Sequence, residues 1–182
     1  MQAADFAQAR IATLAGTLPP NARQLVLAGA GDGALARHYQ AIYPSSALLV
    51  VEGEPAAAQR ATAVAARVIQ ARLDGVGPDF YRHLQWADCW LFDGTLEQLA
   101  APAQVLASIR QAMQFDACIV ACVENPAFAA VPPRHQWDVA ALQALFTGAG
   151  LRVVSAIGLC PGVPAPGQTL PPTHFLLKAM PA

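Results

Sequence analysis

The chain has 182 residues, of which 55% are apolar and only 13% charged, against a usual charged share of about 25%. That length suits one domain with a full core, and the composition excludes a disordered chain. Eleven basic and twelve acidic residues leave a net charge of −1, which creates no long-range field toward phosphates or anionic lipid. Neither nucleic acid nor a membrane is an expected partner.

The segment Asp5 to Leu18 carries Phe6, Ile11, Leu14 and Leu18 at roughly helical spacing, and Pro19-Pro20 stops it. A leading helix is therefore predicted within residues 1–20, followed by a core over 21–182, the whole forming one domain. Gln24 to Ala28 is a short apolar run that enters Gly29-Ala30-Gly31-Asp32-Gly33, after which Ala34 to Tyr43 returns to helical spacing. Ala47 to Val51 is a second such run. It ends at Glu52-Gly53-Glu54-Pro55, and Pro55 suits the first turn of an alanine-rich helix reaching about Ala66.

Arg67 to Ala71 reads as a third strand and Asp79 to Trp86 as a short helix. Asp88 to Phe92 is a fourth strand closed by Asp93-Gly94, and Ala103 to Phe115 a further helix. Ala117 to Val123, seven apolar residues closed by Glu124-Asn125-Pro126, is the cleanest buried strand. A helix over Asp138 to Ala149 ends at Gly150 in the manner of a glycine cap. The strand Leu151 to Ile157, a proline-rich loop from Cys160 to Pro172, and a last strand from His174 to Lys178 complete the chain.

Continuous apolar strands alternating with helices give a mostly parallel sheet covered on both faces, a doubly wound α/β fold. Ligands in such sheets bind beyond the carboxyl ends of the strands. The protein has only four glutamates. Glu52 and Glu124 directly follow predicted strands, Asp93 holds a similar place, and Glu97 lies just beyond the fourth strand. The glycines of the first turn allow close backbone approach to a ligand, and the next helix offers unpaired N–H groups. Gly29, Gly31 and Ala34 also satisfy the G-x-G-x-x-G/A dinucleotide pattern, with Glu52 near the distance expected of a ribose-binding acid. These features alone leave nicotinamide and adenosyl cofactors equally open.

The stretch Leu25-Val-Leu-Ala-Gly-Ala-Gly-Asp-Gly33 resembles the first motif of the seven-stranded, S-adenosylmethionine-dependent methyltransferases, and Val50-Val-Glu-Gly-Glu-Pro55 resembles their second. Ala87 to Leu99 is similar to their fourth-strand segment, which often ends Leu-Glu-His-Leu. Asp138 to Val154 is similar to their penultimate helix and sixth strand, and Asn125-Pro126 falls in their loop after the fifth strand. The resemblance covers nearly the whole chain in order and implies a Rossmann-like sheet with an antiparallel last strand. It also implies S-adenosylmethionine as cofactor and methyl transfer to a small-molecule or glycan acceptor. Carried over residue by residue, Gly29, Gly31 and Gly33 would pass beneath the methionine and ribose, and Glu52 would accept the ribose hydroxyls. Asp93 would lie near the methionine end or the acceptor.

Three positions depart from the family's pattern. Leu27 stands where an acid is common. Arg72 stands where an acid often meets the adenine amino group, with Asp74 close enough to substitute. Gln98 replaces the histidine of Leu-Glu-His-Leu. These departures motivate a competing reading, a catalytically silent binding or scaffolding module; a nicotinamide dehydrogenase is the third. His135, beside Arg134 and Trp137, is the best-placed candidate general base, ahead of His38, His83 and His174. Trp86, Trp90 and Trp137 are expected in the core, with a wall of the acceptor pocket as the alternative for Trp137, and the leading helix with the loops 126–137 and 160–172 is expected to shape that pocket.

Cys89, Cys118, Cys122 and Cys160 form no Cys-x-x-Cys pair and have no companion histidine cluster, so buried free thiols are expected and no metal. No apolar run is long enough to span a bilayer, and Met1 to Asp5 does not resemble the start of a signal peptide. A cytoplasmic protein is expected, as a homodimer or as part of a longer parent chain.

Overall fold

The computed structural model describes residues 3–129, 132–160 and 170–182. Chain order runs α1 (Ala3–Thr17), β1 (Gln24–Ala28), α2 (Ala34–Ile42), β2 (Ala47–Glu52), α3 (Pro55–Ala61), β3 (Arg67–Gln70), α4 (Pro78–His83), β4 (Cys89–Asp93), α5 (Pro102–Ala112), β5 (Cys118–Glu124), α6 (Val139–Gly148), β6 (Leu151–Leu159) and β7 (His174–Pro181). The strands form one seven-stranded sheet in the order β3-β2-β1-β4-β5-β7-β6. All neighbours pair parallel except β7, which runs antiparallel to both β5 and β6. This is the doubly wound, mostly parallel sheet that the apolar runs imply. Strand order reverses between β1 and β4, the place where ligands bind such sheets.

Burial on both faces follows from the period of two along each strand. Val26 and Ala28 of β1 join Trp90 and Phe92 of β4 in a core under α4, α5 and α6, which contribute Tyr81, Leu106, Ile109 and Phe146. Leu25 and Leu27, with Leu48, Val50 and Leu91, face the opposite side under Leu14 of α1, Leu18 just past its end and Tyr39 of α2. Cys89, Cys118 and Cys122 are buried, Cys160 is half-buried, and all four thiols are free.

Several boundaries differ from expectation for local reasons. Helix α3 stops at Ala61 rather than near Ala66, because the Thr62 hydroxyl donates to the Gln59 carbonyl (2.7 Å) and the following amides close tighter turns. Two short 3₁₀ turns, Leu73–Gly75 and Leu96–Gln98, follow β3 and β4 where only loop was read. Of the tryptophans, only Trp90 is fully buried; Trp86 is 62% exposed and Trp137 is half-buried. The expectation that all three pack in the core is corrected for Trp86, which follows the end of the short helix α4. The proline-rich loop predicted from Cys160 to Pro172 falls mostly outside the described residues. Among the described residues, no helix is long and apolar enough to cross a membrane.

Leu106 sits at the centre of the α5 face with no exposed surface. Leu106→Ala is expected to cost about 2–5 kcal/mol of stability by leaving a cavity, read as a lower urea midpoint at unchanged slope.

Candidate functional site

The chain's first turn, between β1 and α2, is shaped by what lies over it. Gly29 continues the ladder, donating its N–H to the Val51 carbonyl (2.8 Å), at φ +98°. A Cβ there would come within 2.4 Å of the Thr95 methyl. Thr95 in turn donates its hydroxyl to the Ala28 carbonyl (2.6 Å), so the turns after β1 and β4 lock together. Gly33, also in the left-handed region, starts α2 with Val64 and Arg37 packed where a side chain would stand. Asp32 accepts the Ala34 N–H (2.8 Å), which fixes the first turn of that helix.

Glu52 ends β2 with its carboxylate held by two backbone amides. One oxygen accepts the Ala30 N–H and the other the Glu54 N–H, each at 2.9 Å. An ionised carboxylate offers about four acceptor positions, so each oxygen retains capacity for a further donor. Glu54 is not free for a ligand: it accepts the Ala56 and Ala57 amides as the cap of α3, and these bonds hold its carboxyl below the ordinary carboxylate range.

Two cavities flank the glycine turn. The first, about 430 Å³, is walled by Val51, Ala71, Leu73 and Leu99 among others, and Glu52, Glu54, Arg72, Asp74, Thr95 and Gln98 contribute its polar groups. Its size and mostly apolar lining suit a flat organic ligand. Asp74 is almost enclosed. It accepts the Ala100 N–H (2.8 Å) and pairs with Arg72 (3.3 Å), and these contacts hold its carboxyl below the ordinary range, the Ala100 amide foremost. The second cavity, about 370 Å³, lies on the other side of the turn and gathers charged and polar residues: Arg10, Asp32, Asp93, Glu97, Gln98, Glu124 and His174 line it beside Ala7, Ile11 and Leu35. Gln98 reaches both.

Arg10, on α1, forms an ion pair with Asp93 at the end of β4 and lies 3.7 Å from the Cys122 sulfur. Burial and the Asp93 carboxylate push the Cys122 thiol up to about 12, so it stays protonated. Asp93 also lines a small cavity of about 40 Å³ with Leu27 and the glycine turn. Glu97 is 3% exposed, and burial raises its carboxyl above the usual range. Its Oε1 accepts the Glu124 N–H (3.1 Å), whereas Oε2 is enclosed without a partner.

The sequence-derived residues thus divide. Gly29, Glu52 and Asp74 meet at the first cavity; Gly31 and Asp93 meet at the second; Gly33 lines only the small cavity under the turn. His135 lines neither large cavity. Its backbone N–H donates to the Glu97 carbonyl (3.0 Å), its Nε2 bonds the Leu99 carbonyl (2.9 Å), and its ring stacks on Trp137 at 5.3 Å. It braces the turn that carries Glu97. Of the elements expected to shape an acceptor pocket, α1 contributes Ala7, Arg10 and Ile11, while the described part of the 126–137 loop contributes this brace. Arg10 carried no sequence signal, since an arginine on an amphipathic helix is ordinarily solvated. His174 was legible only as a strand start.

No family model matches the chain, and no curated protein matches it by sequence. Solved structures match in fold. The N-methyltransferase NodS from Bradyrhizobium japonicum superimposes with a TM-score of 0.72 at 12% identity, over 100% of both chains. The 1,6-didemethyltoxoflavin N1-methyltransferase from Burkholderia thailandensis, solved with its substrate and S-adenosylhomocysteine, gives 0.70 at 16% identity, covering 97% of this chain and 78% of that one. The [4+2]-cyclase SpnF gives 0.73 at 11% identity, covering 96% and 80%. The chain therefore has the seven-stranded, class I methyltransferase-like fold.

Asp74 offers a direct check on the wall of the first cavity. Its carboxyl titrates below the unfolded value of about 3.9, so its contribution to stability is complete above that range and is lost as pH falls through the folded value. Asp74→Asn is expected to lower stability by about 1 kcal/mol at pH 7, and urea midpoints of variant and parent should converge as pH drops below about 4.

Proposed function

We propose that the protein is an S-adenosylmethionine-dependent methyltransferase acting on a small-molecule acceptor. The observation that carries this reading is Glu52: a strand-end carboxylate, anchored by two amides with acceptor capacity to spare, on the wall of an apolar cavity beside a glycine turn. That arrangement suits a nucleoside, with Glu52 accepting the ribose hydroxyls and Leu73 and Leu99 covering the base. Asp74, already engaged with Ala100 and Arg72, would fix the edge of the base pocket.

The residues on the other side of the turn fit an amino-acid end. Arg10 and Asp93 present one positive and one negative group to the same cavity, the complement of a carboxylate and an ammonium. The acid missing at Leu27 is offset in the same place, because Asp93 lines the small cavity that Leu27 walls. When bound, the cofactor supplies an electrophilic methyl on a sulfonium centre. The protein then has to hold the acceptor in line with that carbon, so positioning carries much of the rate. Four free cysteines favour a reducing compartment, in keeping with a cytoplasmic protein.

A second reading is a nucleoside-binding module without transferase activity. The buried Leu27 favours it, and so does the [4+2]-cyclase that shares the fold.

Calorimetric titration with S-adenosylhomocysteine tests the binding step on which the first reading rests. Binding is expected, with Glu52→Ala weakening it at least about tenfold, or roughly 1.4 kcal/mol. Arg10→Ala should weaken S-adenosylhomocysteine several-fold while leaving adenosine unchanged. No binding at millimolar ligand, or an unchanged affinity in Glu52→Ala, would overturn the assignment.

A further inference from the structure

The polar cavity is more acidic than a chain so poor in charge produces by scattering. Four of the twelve acidic residues line it, Asp32, Asp93, Glu97 and Glu124, and Arg10 is its one basic residue. Asp93 is paired with Arg10, and Asp32 accepts the Ala34 N–H. Glu97 is different. With its side chain enclosed, Oε1 meets the Glu124 amide and Oε2 meets nothing, a costly state unless a donor arrives with the ligand.

His174 stands opposite Glu124 in the β5–β7 ladder and lines the same cavity. Its Nδ1 lies 3.1 Å from the Thr173 hydroxyl, which itself donates to the Leu159 carbonyl (3.2 Å). A hydroxyl has one hydrogen, so the tautomer that satisfies both contacts is the one in which Nδ1 donates and Nε2 keeps its lone pair. Burial, and then the Arg10 charge, lower the imidazole's affinity for a second proton.

We propose that Glu97, Glu124 and His174 form the acceptor end of the site and select a small amine that arrives as an ammonium ion. This assignment rests on the cofactor reading above. An ammonium carries positive charge and up to three N–H donors, enough to satisfy Oε2 of Glu97 and to engage Glu124 together. A hydroxyl acceptor brings one donor and no charge, and a carboxylate would be repelled. His174 Nε2 takes one proton from the ammonium. With the cofactor bound, the freed nitrogen lone pair would form a bond to its methyl carbon as the carbon–sulfur bond breaks, the electron pair returning to sulfur. The products are a neutral thioether and a methylated ammonium, with one proton passed through His174 to solvent and no redox partner required.

The test is an NMR titration of the full chain, saturated with S-adenosylhomocysteine, using benzylamine and the near-isosteric benzyl alcohol as probes. Benzylamine is expected to bind at least about tenfold tighter than the alcohol and to shift the His174 ring signals. Glu97→Gln, which preserves shape, should abolish most of that preference while S-adenosylhomocysteine affinity stays within about threefold. Equal or absent binding of the two probes, or a preference that survives in Glu97→Gln, would overturn the proposal. Titrating S-adenosylhomocysteine first separates the two failures: if it does not bind, the cofactor reading falls. In that case the acceptor assignment falls with it, whereas binding of S-adenosylhomocysteine without discrimination between the probes overturns the acceptor assignment alone.

Discussion

The Glu52 carboxylate ties together turns that approach each other only at the carboxyl edge of the sheet. One oxygen holds Ala30 in the glycine turn after β1, and the other holds Glu54, whose own carboxylate starts α3. The parallel β1–β2 register brings these turns side by side, with Ala28 opposite Val51. Charge-assisted bonds to backbone N–H groups are stronger than neutral ones, so they hold the wall of the first cavity, which Glu52 and Glu54 line. Thr95 adds the third tie, from the turn after β4 back to Ala28, and it is this contact that makes a side chain at Gly29 impossible. The site is thus assembled from the ends of β1, β2 and β4, at the point where strand order reverses.

Much of the fold was legible because a parallel sheet writes its strands as uninterrupted apolar runs. Gln24–Ala28 matched its predicted range residue for residue, and Ala117 to Val123 missed β5 by one residue at each end. Helix ends were less legible. The stop at Ala61 depends on the Thr62 hydroxyl finding a carbonyl, which composition does not announce. The site divides the same way. Gly29, Glu52 and Asp93 could be read because they stand at or just past the carboxyl ends of strands, where this architecture puts ligands. Arg10 and His174 could not, since their importance comes from long-range juxtaposition: α1 crossing the end of β4, and an antiparallel β7 bringing its first residue beside the last of β5. His135 was read from its chemistry in isolation, whereas its Nε2 is engaged with a carbonyl and its ring with Trp137.

Low charge is informative at the level of single residues. The surface carries few acids to spare, and a third of the twelve surround one cavity together with a single arginine. Leu27, buried near the end of β1, shares the lining of the small cavity under the turn with Asp93.

A crystal structure of the chain with S-adenosylhomocysteine tests the central claim most directly. The ribose hydroxyls should lie on the Glu52 carboxylate, and the amino-acid carboxylate should lie on Arg10, with the Arg10–Asp93 pair opened to receive it. A nucleoside seated away from Glu52, or one bound with that ion pair intact, would contradict the account.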